Sequence, residues 1–239
     1  MSRLACDGSI AVAGGGDLDF PRWCTQRPVP EWKNLKQISV KWSTDLVGIN
    51  QKGELVYASN NQHNDCFRID GRAPFKYWAN GYWHDQDMPL VWNHLVDVAA
   101  GVEASAGVKD SGELIVGGPN RIYDTDQQDY VPSLRPRWPE CDFADVEFIG
   151  SMLVAMRADG TLRLFETASN REIDPAFLDA LQWTDLVDIS VSSTTIIGVR
   201  SDGSVVAVSN WAPDSVIEEI CSWKLTPCEI DRDIPHEIR

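Results

Sequence analysis

The sequence predicts an all-β fold, a five-bladed β-propeller, on three observations. A glycine turn recurs five times, apolar residues alternate on both sides of it, and a tryptophan marker lies upstream at a fixed distance. The turns are Cys6-Asp7-Gly8-Ser9, Gln51-Lys52-Gly53-Glu54, Asp110-Ser111-Gly112-Glu113, Ala158-Asp159-Gly160-Thr161 and Ser201-Asp202-Gly203-Ser204. Each joins a mostly polar pair to a glycine and a small or acidic residue. This is hairpin-turn chemistry, because glycine supplies positive φ without steric cost.

The flanks are strands. Four residues before each glycine stands Leu4, Ile49, Val108, Met156 or Val199, and two after it Ile10, Leu55, Leu114, Leu162 or Val205. The residue five before is small in four copies (Gly48, Gly107, Ala155, Gly198) and is Arg3 in the first. Alternation with period two on both sides of a turn describes a hairpin with one buried face. A third strand upstream carries Trp32-Leu35-Ile38, Trp92-Leu95-Val98 and Trp183-Leu186-Ile189, and Phe143-Val146-Ile149 fits the same pattern with Phe in the Trp position. Trp32, Trp92, Trp183 and Trp223 recur at one repeat position, which assigns them to packing between neighbouring blades.

The turn glycines are 45, 59, 48 and 43 residues apart, and the step from Gly203 across the termini to Gly8 is 44 residues. Gly8 has no upstream strand of its own, whereas Trp223 and Ile230 lie downstream of the last hairpin. The ring is therefore expected to close by pairing residues 224–239 with 1–13, which removes the exposed sheet edge an open arc would leave. The whole chain, 1–239, reads as one propeller domain.

The spacing of 59 marks an insertion over residues 60–91, rich in aromatics. Its candidate binding residues are Tyr77, Trp78, Asn80, Tyr82, Trp83, His84, Asp85 and Asp87, because flat rings beside amide and carboxylate groups suit stacking on sugar rings or on protein surfaces. Insertions in repeat proteins map to loops on one face, often the binding face, although the same aromatics also suit capping of the blades' outer edges.

Thr184 to Asn210, TDLVDISVSSTTIIGVRSDGSVVAVSN, resembles a repeat of the regulator of chromosome condensation (RCC) family, as do His94 to Gly118 and Asn34 to Ser59. The resemblance touches all five repeats and about half the chain. It implies a propeller serving as a protein-binding platform. Family members typically have seven blades; here there are five repeats, and of the family's Gly-x-x-His element only Gly101 is present.

Composition narrows the function. The 239 residues carry 36 Asp and Glu against 21 Lys and Arg, a net charge of -15, the wrong sign for binding nucleic acid through its phosphates or an anionic membrane. No apolar run is long enough to span a bilayer, and the N-terminus has no secretion signal, so a cytoplasmic place or incorporation in a virus particle is expected. The six cysteines form no CxxC pair; a reducing setting with free thiols is expected. Clusters such as His84-Asp85-Gln86-Asp87 lack the spacing of metal sites, and neither metal nor cofactor is expected. The four histidines fit no Ser-His-Asp or Cys-His arrangement, the acids look scattered among turns, and the repeated inner-strand positions read as apolar or small. The expectation is a non-catalytic propeller with a protein partner, a binding or structural module such as an accessory subunit of a virus particle or phage tail. The alternatives are a carbohydrate-binding module that uses the aromatic insertion and, less favoured, a glycoside hydrolase.

Overall fold

The computed structural model describes residues 2–4, 10–12, 34–41, 45–59, 75–79, 82–86, 92–101, 104–117, 121–124, 129–132, 142–167 and 172–225. Among the described residues one unit, three consecutive antiparallel strands, occurs four times. It comprises β3 (Leu35–Lys41), β4 (Asp45–Asn50) and β5 (Leu55–Ser59); β8 (Leu95–Ala100), β9 (Ser105–Lys109) and β10 (Leu114–Gly117); β13 (Phe143–Ile149), β14 (Met152–Arg157) and β15 (Leu162–Glu166); and β16 (Leu186–Val191), β17 (Thr195–Arg200) and β18 (Val205–Ser209). Three further hairpins are β1 (Ser2–Leu4) with β2 (Ile10–Val12), β6 (Phe75–Ala79) with β7 (Tyr82–Gln86), and β11 (Arg121–Asp124) with β12 (Asp129–Pro132). The fold is mostly β, and the repeated sheets are propeller-like.

Within each unit the second and third strands are joined by the predicted glycine turn. Gly53, Gly112, Gly160 and Gly203 have φ of 72°, 79°, 79° and 81°. Each donates its N–H to the carbonyl three residues earlier (Asn50, Lys109, Arg157, Arg200), a three-residue loop closed by a glycine bulge. The turn has a second task. The carbonyls of Gly53, Gly112, Gly160 and Gly203 accept the N–H groups of Leu95, Phe143, Leu186 and Leu225 at 2.9–3.1 Å, so the turns at Gly53, Gly112 and Gly160 are each bonded to the start of the next unit and the turn at Gly203 to the residue that follows Lys224. A Cβ on Gly160 would lie 2.5 Å from the Leu186 nitrogen, so glycine is required for this approach as well as for its φ.

The first strands of consecutive units pack on one another, and three apolar cores lie between neighbouring sheets. Trp92 packs with Val47, Ile49 and Leu55 of the preceding sheet; Trp183 packs with Met156, Leu162 and Leu164 of its own preceding sheet. These two rings are only 6% and 8% exposed, as inter-blade packing requires. Trp223 differs: it follows helix α1 (Asp214–Ser222) and is 50% exposed, so it does not share their packing position.

The third unit also corrects the sequence alignment. Phe143 takes the bond from Gly112 that Leu95 and Leu186 take from Gly53 and Gly160, and Val146 pairs with Ala155 as Val98 pairs with Gly107. Phe143 therefore occupies the leucine position rather than the tryptophan position, a shift of three residues. Each first strand has a bulge after that residue, at Leu35/Gln37, Leu95/Asp97, Phe143/Asp145 and Leu186/Asp188.

Ring closure is not seen among the described residues. β1 and β2 form a two-stranded sheet, Lys224 bridges to Ser204, and Gly8 and residues 226–239, on which the predicted closure depends, lie outside the described residues.

Candidate functional site

The aromatic insertion contains a hairpin whose register pairs Lys76 with Asp85, Tyr77 with His84, Trp78 with Trp83 and Ala79 with Tyr82. Asn80-Gly81 separates the two strands, and Asn-Gly is the dipeptide that two-residue hairpin turns prefer. Of the eight candidate residues, Tyr77, Trp78, Tyr82, Trp83, His84 and Asp85 lie on this ladder, whereas Asn80 and Asp87 lie outside the described residues. Among the described residues β6–β7 is a sheet of its own. The other outer hairpin, β11–β12, instead adds to the edge of the third unit through Tyr123↔Glu166 and Asp124↔Phe165, making a five-stranded sheet.

A second constellation lies on the first strands, and it corrects the reading of their repeated positions as apolar or small. Directly after the four bulges stand Gln37, Asp97, Asp145 and Asp188, one residue from each unit. Asp97 is 7% exposed and spends both carboxylate oxygens on N–H donors. Oδ1 accepts the Gln37 side-chain amide from the preceding unit and the Val98 N–H at 2.8 Å, and Oδ2 accepts the Val146 N–H of the following unit at 2.7 Å. One carboxylate thus joins three consecutive first strands. The Ala100 N–H adds a further tie to the Ser39 hydroxyl at 3.1 Å.

Asp145, next in the series, has its carboxyl pushed up to about 9. Burial is the largest cause; the charge of Asp97, a hydrogen bond to it, and the charges of Glu147 and Asp188 follow. At the turns the direction reverses: hydrogen bonds from Thr161 hold Asp159 below the usual carboxylate range, and those from Ser204 do the same for Asp202. Among the described residues no three His, Cys, Asp or Glu side chains are grouped as metal ligands would be, and no helix is long and apolar enough to cross a membrane.

The signal for the acid position was present as Asp97 and Asp188, each two residues after a marker leucine; the misplaced alignment of Phe143 hid the third member.

No protein-family model and no curated protein matches the sequence. Solved structures do. Human WBSCR16 aligns at 17% identity and a TM-score of 0.47, covering 76% of this chain and 48% of its own. Prp20p of Saccharomyces cerevisiae, whose structure was described with its binding to Gsp1p and histones, aligns at 12% and 0.44, covering 79% and 45%. The CRINKLY WD40 ectodomain of the Arabidopsis thaliana receptor kinase ACR4 aligns at 15% and 0.42, covering 75% and 57%. The chain spans about half the length of these three proteins.

Proposed function

We propose that this chain is a non-catalytic β-propeller that acts as a protein-binding module, an accessory subunit of a larger assembly. The observation that carries this reading is the β6–β7 hairpin. It brings Tyr77, Trp78, Tyr82 and Trp83 onto one short ladder that is, among the described residues, a sheet of its own, whereas the acids of the first strands are engaged in or crowded around ties between sheets. Tyr and Trp are the residue types that dominate binding energy at protein interfaces. The test is native capture of the chain from its source, wild type beside Trp78→Ala/Trp83→Ala. A partner retained stoichiometrically by the wild type and lost by the folded variant supports the proposal. Equal retention by both, or no partner for either, overturns it.

A second reading, carbohydrate binding, is favoured by the Trp78↔Trp83 register, which sets two tryptophans opposite one another on the ladder, a residue type suited to stacking on sugars. A glycan array bound by the wild type and not by the variant would select it over the first.

For the architecture we propose a ring of five blades, the fifth built from β1–β2 and the segment that begins at Leu225. Its support is the turn-to-strand bond: Gly203 makes it to Leu225 just as the three earlier turns make it to strand starts. The β1–β2 register about Gly8, with Leu4↔Ile10 and Ser2↔Val12, also matches Ile49↔Leu55 and Val47↔Tyr57 about Gly53. Carried onto Leu225, the register of the other units sets Cys228 opposite Arg3. In a background with the other five cysteines changed to Ser, Arg3→Cys is expected to form an intrachain disulfide with Cys228 under mild oxidation, with none forming from Ser2→Cys.

A further inference from the structure

The position after the bulge holds a feature that binding-module function does not require. Asp97 and Asp145 come from adjacent units, and a hydrogen bond joins the two carboxyl groups. Two carboxylates cannot hydrogen-bond without a proton between them. The oxygens of Asp97 already accept from the Gln37 amide and the Val98 and Val146 N–H groups, so the proton belongs to Asp145.

We propose that Asp145 holds a proton at neutral pH and donates it to Asp97, and that this shared proton couples the cohesion of the second and third sheets to pH.

The surroundings favour one proton and not two charges. The charged groups that act on Asp145 are Asp97 from β8, Glu147 on its own strand and Asp188 from β16, all acidic. β9 and β14, the other strands packed on β13, each carry one basic residue, Lys109 and Arg157, at their last position, and Lys109 is paired with Glu113 at 2.8 Å. Loss of the proton therefore places like charges side by side in a half-buried position, directly against the carboxylate that ties three first strands together.

The carboxyl of Asp145 is raised in the folded chain, so its contribution to stability is complete below the ordinary carboxylate range. It diminishes as pH rises from about 4, where the unfolded chain ionises, up through the folded value. One proton bound by the folded chain and released on unfolding changes the unfolding equilibrium roughly tenfold per pH unit. The experiment is urea unfolding of the full chain between pH 5 and pH 8, wild type beside Asp145→Asn, which keeps a donor facing Asp97 and cannot ionise. The ratio of their unfolding constants is expected to change roughly tenfold per pH unit, the wild type losing stability relative to the variant as pH rises. Parallel profiles overturn the proposal. Should Asp145→Asn fail to fold, carboxyl-carbon NMR of the 13C-aspartate-labelled wild type decides. One aspartate titrating above pH 7 supports the shared proton, and titration of every aspartate below pH 5 overturns it.

Discussion

The joints between sheets are built in two ways, and the difference shows which residues act as a unit. Between the third and fourth units, Trp183 and Leu186 lie over Gly198: a Cβ there would meet the Leu186 Cδ2 at 2.8 Å and the Trp183 Cε3 at 3.3 Å. Between the first and second units, Trp92 and Leu95 cover Gly107 in the same way, at 3.3 and 2.9 Å. The joint between the second and third units departs at all three positions. Glu140 stands three residues before Phe143, where the others have tryptophan, Phe143 replaces leucine, and Ala155 replaces glycine. Tryptophan, leucine and glycine change together because the leucine Cδ2 and, a little farther off, the indole occupy the volume a Cβ would need. A larger residue at the leucine position accompanies the exchange, its ring 6.4 Å from that of Phe165. Close packing makes such compensated exchanges tolerable where single ones are not.

The sharpest way to break this comparison is to remove the indole. Trp183→Ala leaves a void between two sheets and is expected to destabilise the chain by about 3–5 kcal/mol, read as a fall in the urea midpoint. If the joint between the second and third units lacks an equivalent anchor, Phe143→Leu, which only shortens a side chain, should cost far less, about 1–1.5 kcal/mol. Equal losses would mean that the two joints do not differ in kind.

Adding a methyl probes the same unit from the other side. Gly198→Ala pushes against Leu186, Val206 and Trp183 and is expected to cost about 1–3 kcal/mol. Combined with Trp183→Ala it should cost less, because part of the collision has been removed, with a coupling of about 1 kcal/mol in a double-mutant cycle. Strict additivity would show that Leu186 and Val206, without the indole, set the glycine requirement.

The turns were legible because their chemistry is local: glycine after a polar pair, with apolar residues at fixed offsets, defines a hairpin whatever the rest of the chain does. So was the packing of Trp92 and Trp183, which a shared offset from their own turns revealed. Phe143 misled because an aromatic residue with apolar residues at three and six positions downstream fits either frame; the bond from its N–H to the Gly112 carbonyl and the Val146↔Ala155 pairing decide it. The acid position was hidden for a different reason. A bulge inserts one residue after the marker leucine, so Asp97 pairs with Val108 while Leu95 pairs with Lys109, and strict alternation fails where the aspartates stand. The candidate binding residues were visible as an aromatic concentration at an anomalous spacing, but their pairing was not, since Asn80-Gly81 is one of several turn signals in that segment. The insertion and β11–β12 are both outer segments, and nothing in their local patterns announced that, among the described residues, the latter would add to a sheet edge and β6–β7 would not.

The smallest effect tests the exchange at its mildest point. Ala155 pairs with Val146 in the middle strand of the third unit and is fully buried, in the place held by Gly107 and Gly198 in the neighbouring units. If glycine is used elsewhere only because an indole covers it, Ala155→Gly gains nothing here. It frees the unfolded backbone and removes a buried methyl, so a loss of about 0.5–1 kcal/mol is expected. The sign carries the information. A loss says that alanine is the better residue wherever tryptophan leaves room for it, so that Gly107 and Gly198 are concessions to Trp92 and Trp183. A gain would place the requirement for glycine in the strand itself, and the joint between the second and third units would then be strained rather than compensated.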